Sequence, residues 1–191
     1  MAETKEDRVA LIDLDGTVAD YDGTMKRELE KLRDPLELAS DDREAPPHIE
    51  ARRALIRKVP GFWRTLPRIE RGFEIVEELR ELGFMLHVLT AGPKSTPSAW
   101  TEKAEWCREH LPDAFVTVTQ DKSLVYGRIL VDDWPPYFEK WLTNRKRGLV
   151  VAVAHPWNAH VKHPNVVRYD GTNRTEVRAA LKAAYERKPG V

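Results

Sequence analysis

Short apolar runs alternate with amphipathic segments along most of the 191-residue chain, and this alternation limits the fold more than any other feature. Six runs predict strands, at residues 9–12, 84–89, 115–118, 129–131, 149–153 and 166–167. Segments with apolar residues at helical spacing lie between most of these runs. Strands that alternate with helices favour a Rossmann-like α/β fold, a parallel sheet with helices on both faces.

One segment breaks this alternation. Between residues 20 and 67 the sequence shows two amphipathic helical patterns and no strand pattern. We therefore expect a small helical cap at 20–67, inserted after the first strand, on an α/β core formed by 1–19 and 68–191.

Composition excludes several classes of protein. Lys plus Arg and Asp plus Glu both number 31, so the formal net charge is zero and no stable nucleic-acid partner is expected. The single cysteine, Cys107, allows no intrachain disulfide and suits a reducing compartment. No apolar run is long enough to span a bilayer, and the charged N-terminus lacks a signal-peptide core. We expect a cytoplasmic protein without a membrane partner. The sequence does not decide the oligomeric state, and a homodimer is compatible with it.

Polar side chains follow three of the predicted strands where each strand ends. Asp13 and Asp15 follow the first strand, Thr90 the second, and Asp132 and Asp133 the fourth. Because the carboxyl ends of parallel strands meet at one edge, these groups are expected to converge. Converging carboxylates repel one another unless a cation lies among them, and an all-oxygen set suits Mg²⁺ with a substrate phosphate. Alternatively, the aspartates are helix caps and turn residues; spacing alone does not decide.

The segment Asp13-Leu14-Asp15-Gly16-Thr17 resembles the first motif of the haloacid-dehalogenase superfamily of phosphohydrolases. Thr90, Lys122 and the pair Asp132-Asp133 stand where that superfamily has its second, third and fourth motifs. The sequence is most similar to the 5′(3′)-deoxyribonucleotidase family over roughly residues 9–134. Its matching segments are residues 13–21, Thr90-Ala91-Gly92-Pro93-Lys94, Glu102-Lys103 and residues 119–122.

The resemblance implies a haloacid-dehalogenase fold and a Mg²⁺-dependent phosphohydrolase that acts on nucleoside monophosphates, deoxyribonucleotides among them. Asp13 would be the nucleophile that forms an aspartyl-phosphate, and Asp15 the general acid and base. The metal would be held by Asp13, the backbone carbonyl of Asp15, Asp132 and Asp133. The phosphate would be bound by Thr90, Ala91, Lys122 and Lys94.

Four residues are candidates for holding the rest of the substrate. Tyr21 matches a position that stacks on the base in the family, and its alternative is packing on the core. Lys103 lies beside the buried face of its helix and would point toward the phosphate, unless its stem snorkels to solvent. Phe62 and Trp63 could line a nucleoside pocket, although packing between the cap and the sheet is favoured for them.

Three positions depart from the family pattern, and they bear on substrate preference more than on hydrolysis: Ala91, Arg128 and Trp134. The basic stretch 140–147 is expected to be a solvated helix end. Trp157 and Asn158 could approach the site from the loop after the fifth strand, although we favour their standing apart. The alternative functions are a polynucleotide 3′-phosphatase, another small-molecule phosphatase of the superfamily, and a non-catalytic binding module.

Overall fold

A computed structural model describes residues 8–37 and 45–188. All six strands join one parallel sheet in the order β3-β2-β1-β4-β5-β6. Their bounds are Val9–Ile12 (β1), Met85–Ala91 (β2), Phe115–Thr119 (β3), Ile129–Asp132 (β4), Leu149–Val153 (β5) and Val166–Tyr169 (β6). The predicted parallel α/β fold is confirmed.

Helices cover both faces of this sheet. They are Tyr21–Lys31 (α1), Pro47–Ile56 (α2), Glu70–Leu82 (α3), Ser98–His110 (α4), Pro135–Asn144 (α5) and Arg174–Glu186 (α6). Ala10 and Ile12 of β1 belong to the core cluster that includes α3, α4 and α6, while Leu11 packs with Phe138 of α5 on the other face. Both faces of β1 are buried, which explains why its sequence is continuously apolar.

The predicted bounds agree with the structure for β1 and β5, whereas β2, β3, β4 and β6 extend one or two residues further at their carboxyl ends. Strand β2 continues through Thr90 to Ala91, because these two residues pair with Val118 and Thr119 of β3. Polar and small residues end the apolar run at Leu89, so hydropathy alone cannot find the last two pairs. Thr90 is therefore a paired residue of β2, near the carboxyl ends of the strands where the candidate site lies.

The described parts of residues 20–67 contain α1 and α2 and no strand of the sheet. Residues 38–44 lie outside the described residues, so the cap as a separate unit stays a prediction. Met25 and Ile56 join the same core cluster as α3, which ties these two helices to the α/β core. Within the described residues, no helix is long and apolar enough to cross a membrane.

Helix α3 packs unusually close to the loop that follows β1. A Cβ placed on Gly72 would lie 2.0 Å from the carbonyl oxygen of Thr17. The backbone amide of Ile69 donates to the carbonyl of Val18 at 2.8 Å, which holds the start of α3 against the same loop. Glycine at position 72 therefore allows the helix to support the segment that carries Asp13 and Asp15.

Candidate active site

The pairing of β1 with β4 brings Asp13 beside Asp132. Ile12 is in register with Val131, and the amide of Asp13 donates to the carbonyl of Val131 at 2.8 Å. Strands β1 and β4 end side by side, at Ile12 and Asp132, and Asp133 directly follows β4. Asp13, Asp132 and Asp133 are buried and each offers an oxygen within 4.8 Å of the others. The expected convergence of aspartates from the first and fourth strands is present.

Lys122 bridges two of these carboxylates. Its ammonium lies 2.6 Å from an oxygen of Asp13 and 2.8 Å from an oxygen of Asp132, and its side chain is 3% exposed. Burial acts to lower the pKa of Lys122, but the carboxylates of Asp13 and Asp132 outweigh it and raise the pKa above its usual value. Lys122 is therefore a fixed positive charge beside Asp13.

The short 3₁₀ turn Lys122–Leu124 holds this lysine in place. The carboxylate of Asp121 accepts from the amide of Ser123 at 3.0 Å and from its hydroxyl at 2.6 Å. Lys140 of α5 pairs with the same carboxylate at 2.6 Å, and these contacts lower the pKa of Asp121 to about 2. The ionised carboxylate of Asp121 thus fixes the backbone of the 3₁₀ turn that carries Lys122.

Asp133 is held by groups from two loops. Its carboxylate accepts from the hydroxyl of Thr17 at 3.2 Å and from the indole of Trp157 at 3.0 Å. The amide of Asn158 donates to the carbonyl of Asp133 at 3.0 Å. A Cβ on Gly16 would lie 2.8 Å from the Asp133 carboxylate, and Gly16 has a φ of 79°. The first-motif glycine is therefore required both by its conformation and by this contact.

The expectation that Trp157 and Asn158 stand apart from the site was wrong. The 3₁₀ turn Pro156–Asn158 begins just after β5, and this turn folds over the carboxyl end of β4. His155, which the sequence did not single out for the site, shares a 2.7 Å hydrogen bond with the carbonyl of Gly16 and stacks on Trp157. In the sequence, only the position of this loop after a strand end indicates that its residues lie near the site. That indication is weak, because every loop at this side of the sheet shares it.

The acidic cluster of Asp13, Asp132 and Asp133 fits a divalent metal ion. Burial raises the pKa of Asp133 well above its usual value, and repulsion from Asp132 and Asp13 adds to the rise. Burial likewise raises the pKa of Asp132, against the opposing effect of Lys122. Lys122 contacts two of these three buried carboxylates, so one ammonium faces three acidic groups in the described part of the site, and an all-oxygen donor set is what a hard cation prefers.

Asp15 belongs to a second ion pair and not to the acidic cluster. Its carboxylate makes a short contact with the ammonium of Lys103, and its other oxygen is buried without a hydrogen-bond partner among the described residues. Burial raises the pKa of Asp15; Lys103 opposes this rise and Asp13 adds to it. The side chain is thus a carboxyl group biased toward carrying a proton, two residues after Asp13.

Lys103 connects Asp15 to the end of β2. The ammonium donates to the hydroxyl of Thr90 at 3.1 Å and to the carbonyl of Ala91 at 2.7 Å, and the side chain is 1% exposed. The inward direction expected for Lys103 is therefore what the structure shows. Lys94 is exposed and makes no ion pair within residues 8–37 and 45–188, so its phosphate-binding role rests on the sequence alone.

Three aromatic rings pack together beside Lys103. Tyr21 stacks on Trp63 with centroids 5.3 Å apart, and Phe62 meets both rings edge to face. Lys103 Nζ lies 4.6 Å from the Trp63 ring centroid. Phe62 and Trp63 are buried, as their core-packing alternative expects, whereas Tyr21 is half-buried. The structure thus brings the four predicted substrate residues into one group.

The two remaining departures from the family pattern lie in different places. Trp134 precedes α5, and its backbone amide donates to Asp132 at 2.8 Å, so position 134 serves the site through its backbone. Arg128 precedes β4 and lies at the opposite edge of the sheet from Asp132. Cys107 is buried in the core, as expected of a residue on the apolar side of α4.

A solved structure with the same fold identifies the class of protein to which this parallel sheet belongs. A haloacid-dehalogenase family hydrolase from Deinococcus radiodurans R1, solved with bound phosphate and sodium, superposes with a TM-score of 0.56 at 15% identity. The match covers 93% of this chain and 96% of that one. The protein has the haloacid-dehalogenase hydrolase fold.

The sequence comparisons narrow this class to one family. Residues 7–179 match the model of the 5′ nucleotidase, deoxy (pyrimidine), cytosolic type C protein family, and the chain belongs to it. The human 5′(3′)-deoxyribonucleotidase, cytosolic type, is 30% identical over 138 residues, which is 64% of this chain and 69% of the human one. A Bordetella bronchiseptica relative named for the same activity is 29% identical, over 65% of this chain and 73% of its own. The protein is a phosphoric monoester hydrolase of the 5′-nucleotidase type.

Proposed function

We propose that this protein removes phosphate from deoxyribonucleoside monophosphates through an aspartyl-phosphate on Asp13, with Mg²⁺ as its metal. The observation that carries the proposal is the placement of Asp13 at the end of β1. There its carboxylate lies 2.6 Å from Lys122 and within 4.8 Å of oxygens of Asp132 and Asp133. Asp13 would face the phosphoryl group of a bound substrate from this position. The ammonium of Lys122 would offset the negative charge of that group.

Residues of the acidic cluster would hold the metal. Asp13, Asp132 and Asp133 provide the carboxylates, and the backbone carbonyl of Asp15 is a further ligand by the family pattern. When bound, Mg²⁺ would supply positive charge to the phosphoryl oxygens and to the carboxylates around it. Thr17 and Trp157 orient the carboxylate of Asp133 through neutral hydrogen bonds, as partners of metal ligands commonly do.

The first chemical step transfers the phosphoryl group from substrate to Asp13. A carboxylate oxygen of Asp13 forms a bond to phosphorus while the bond from phosphorus to the nucleoside oxygen breaks. Asp15 donates a proton to that leaving oxygen, and its raised pKa favours the protonated form needed for this. The hydroxyl of Thr90 is a donor for a phosphoryl oxygen, and Lys122 remains beside the reacting carboxylate.

The second step releases inorganic phosphate. Asp15, now ionised, takes a proton from a water molecule whose oxygen attacks the phosphorus of the aspartyl-phosphate. The bond from phosphorus to the Asp13 oxygen breaks, which restores the Asp13 carboxylate. Lys103 stabilises this ionised form, since its ammonium pairs directly with the Asp15 carboxylate. One side chain thus serves as acid and then as base, with a lysine that limits how far burial raises its pKa.

The aromatic group of Tyr21, Phe62 and Trp63 is the proposed contact for the nucleoside. Tyr21 is the least buried of the three and begins α1, six residues after Asp15. A base stacked on its ring would remain tethered near the phosphate held at Asp13. The human relative's name includes the word cytosolic, and a cytoplasmic location is proposed for this chain on that basis.

Phosphate release from a panel of nucleoside monophosphates tests the proposal. The panel contains ribose and deoxyribose forms with phosphate at the 5′ or 3′ position, each measured with Mg²⁺ and with EDTA. Asp13→Asn should abolish release, while Asp113→Asn, a change near the start of β3 away from the site, should retain it. Full activity in EDTA, or in Asp13→Asn, would contradict the mechanism.

The covalent intermediate has its own test. Asp15→Asn should slow turnover by about 10²–10⁴-fold, the usual contribution of general acid–base catalysis. Acid-quenched Asp15→Asn should then carry a phosphoryl group on the peptide that contains Asp13, detectable by mass spectrometry. Absence of phosphoenzyme together with an equal, mild loss in both variants would show that neither aspartate has its assigned role.

Tyr21→Ala separates base contact from packing. Stacking on one base contributes about 1–3 kcal/mol, so KM for nucleotides should rise roughly tenfold to a hundredfold. Hydrolysis of p-nitrophenyl phosphate, which has no base, should be spared. A proportional loss of both activities would show that Tyr21 serves only to pack on Trp63.

A further inference from the structure

A second charged cavity lies at the edge of the sheet opposite the acidic cluster. Arg128 directly precedes β4 and Gly148 directly precedes β5, whereas Asp132 ends β4 at the other edge. The cavity encloses about 590 Å³. We call it the basic pocket; its cationic lining residues are Arg128, Arg145, Lys146, Arg147, Arg187 and Lys188.

Most cations of the basic pocket have no carboxylate partner among the described residues. None of its described lining residues is an aspartate or a glutamate. Apart from Arg128, its cationic residues form no ion pair with a carboxylate anywhere in the described part of the chain. Burial lowers the pKa of Arg187, and repulsion from Arg147 and Arg128 adds to that effect. This concentration of charge contrasts with a chain whose formal net charge is zero.

Backbone hydrogen bonds hold the cations together in spite of their repulsion. The guanidinium of Arg128 donates to the carbonyls of Tyr185 and Arg187, at 3.0 and 2.6 Å. Arg147 donates to the carbonyl of Lys188 at 2.9 Å, and Arg187 donates in return to the carbonyl of Arg147. The end of α6 is thus fastened to the segment before β5, and the pocket is formed before any ligand arrives.

Arg145 retains donor capacity within this lining. Its Nε is buried and has no hydrogen-bond partner in the described residues, while another of its nitrogens donates to the carbonyl of Asn144 at 3.0 Å. The guanidinium lies 5.7 Å from the ring centroid of Tyr126, a half-exposed tyrosine that also lines the cavity. A guanidinium carries five N–H groups, so Arg145 retains donors for an anion in the cavity.

We propose that the basic pocket binds an oligophosphate anion, a chain of two or more phosphoryl groups that is either free or carried by a nucleoside. Five of its cations have no carboxylate partner among the described residues, which favours an anion with several negative charges, and the volume of about 590 Å³ lies within the roughly 300–1,000 Å³ typical of small-molecule sites. The planar guanidinium groups of arginine can donate two hydrogen bonds to a pair of phosphate oxygens, and the Tyr126 ring offers a surface on which a nucleobase can stack. The site is separate from the acidic cluster and does not depend on the reaction proposed for it.

Calorimetric titration with inorganic triphosphate tests this proposal on the full chain, in EDTA and at two salt concentrations. Binding should weaken as salt increases, because the contacts are charged. Lys146→Ala is the first variant, since the exposed Lys146 side chain forms no hydrogen bond or ion pair in the described residues and its loss should leave the fold intact. Arg145→Gln is the second. Each should weaken binding by roughly tenfold or more, the usual effect of losing a charge-assisted hydrogen bond.

Lys182→Ala is the matched control. Lys182 is an exposed cation on α6, outside the basic pocket, and its removal should leave the affinity for triphosphate unchanged. Equal affinities in wild type, Lys146→Ala and Arg145→Gln would place the anion elsewhere and overturn the proposal, as would no binding by wild type. Tighter binding of a single-stranded oligonucleotide than of triphosphate would also overturn it, in favour of a nucleic-acid surface.

Nucleoside triphosphates then distinguish the two sources of the oligophosphate. If the ligand is carried by a nucleoside, wild type should bind the nucleoside triphosphate more tightly than inorganic triphosphate, and Tyr126→Leu should remove that difference. Equal affinities for the two ligands, lowered alike in Lys146→Ala, support the proposal with a free oligophosphate.

Discussion

Replacing Lys103 by methionine should destabilise the protein in a manner that depends on pH. The ammonium is 1% exposed and pairs with Asp15, whose side chain is 25% exposed. It also donates to Thr90 and Ala91. Methionine keeps the length and the apolar stem but leaves the Asp15 carboxylate without its cation. The variant therefore isolates the contribution of one positive charge to this ion pair.

The magnitude follows from how Asp15 can respond. Breaking a buried ion pair costs about 3–5 kcal/mol when the remaining charge stays ionised. Because Lys103 is the main influence that lowers the pKa of Asp15, the variant should have a still higher folded pKa than wild type. Proton uptake by Asp15 then limits the loss of stability, since a shift of one pKa unit is equivalent to about 1.4 kcal/mol. We expect a loss of roughly 2–4 kcal/mol at pH 8, and less under acidic conditions.

The sign of the pH dependence follows from linkage. A carboxyl group with a raised folded pKa destabilises the folded state above that pKa, and this cost disappears as the pH falls below the unfolded value of 3.8. The difference in unfolding free energy between wild type and Lys103→Met should therefore shrink from pH 8 to pH 5. A smaller loss, independent of pH, should remain from the bonds to Thr90 and Ala91.

Urea denaturation in EDTA at both pH values measures the effect, and a double-mutant cycle with Asp15→Asn identifies its source. In the Asp15→Asn background, Lys103→Met should change stability by the same amount at pH 5 and pH 8, because the carboxyl group that pairs with Lys103 is gone. A loss that is independent of pH in the Asp15 background would refute the reasoning, since it would mean that Asp15 does not take up the charge imbalance.

Two further changes probe the supports of the site. Gly72→Ala should destabilise the protein by about 1–3 kcal/mol, the cost of overpacking, because the new Cβ would lie 2.0 Å from the Thr17 carbonyl. Arg71→Ala on the same helix is its control, and equal urea midpoints for the two variants would contradict this. Trp157→Phe keeps a ring but removes the donor to Asp133. The Mg²⁺ concentration for half-maximal activity should rise about 10–100-fold, and an unchanged concentration would count against this support.

The strands and the acidic cluster could be predicted because both depend on local sequence. Buried parallel strands are continuously apolar, so β1 and β4 are visible as runs that stop at aspartates. Once those strands are neighbours in a parallel sheet, register alone brings Asp13 beside Asp132. Little else in the fold is needed to place these carboxylates, which is why sequence reasoning reached them.

Helix α4 shows where such reasoning fails. Trp100, Ala104, Cys107 and Leu111 share helical spacing, and hydropathy places them on one buried face. Cys107 and Leu111 are buried, but Trp100 and Ala104 are only partly buried, whereas Lys103 and Trp106 are fully so. The observed face is rotated because Lys103 is buried against Asp15 and Trp106 donates to the carbonyl of Leu66 at 2.8 Å. Hydropathy treats a lysine as a surface residue, so it misplaces the boundary of a buried helix face that includes a lysine in an ion pair.

The loop after β5 could not be assigned for a different reason. His155, Trp157 and Asn158 contact Gly16 and Asp133 across more than 20 residues of sequence separation, each through one or two hydrogen bonds. No periodic pattern marks contacts of this kind, because each depends on where two irregular segments meet. Only the final packing of the turn after β5 over the end of β4 reveals them.

The two lysines of the site divide its carboxylates into groups with different chemistry. Lys122 bridges Asp13 and Asp132 and is fully enclosed, so its charge is fixed and belongs with the nucleophile and the metal. Lys103 pairs with Asp15 alone, and Asp15 is the carboxylate that burial biases toward protonation. Because the lysines come from different elements, the 3₁₀ turn Lys122–Leu124 and α4, each environment can be changed separately. Replacement of Lys103 should therefore move the pH dependence of catalysis, whereas replacement of Lys122 should change metal affinity and phosphoryl transfer together.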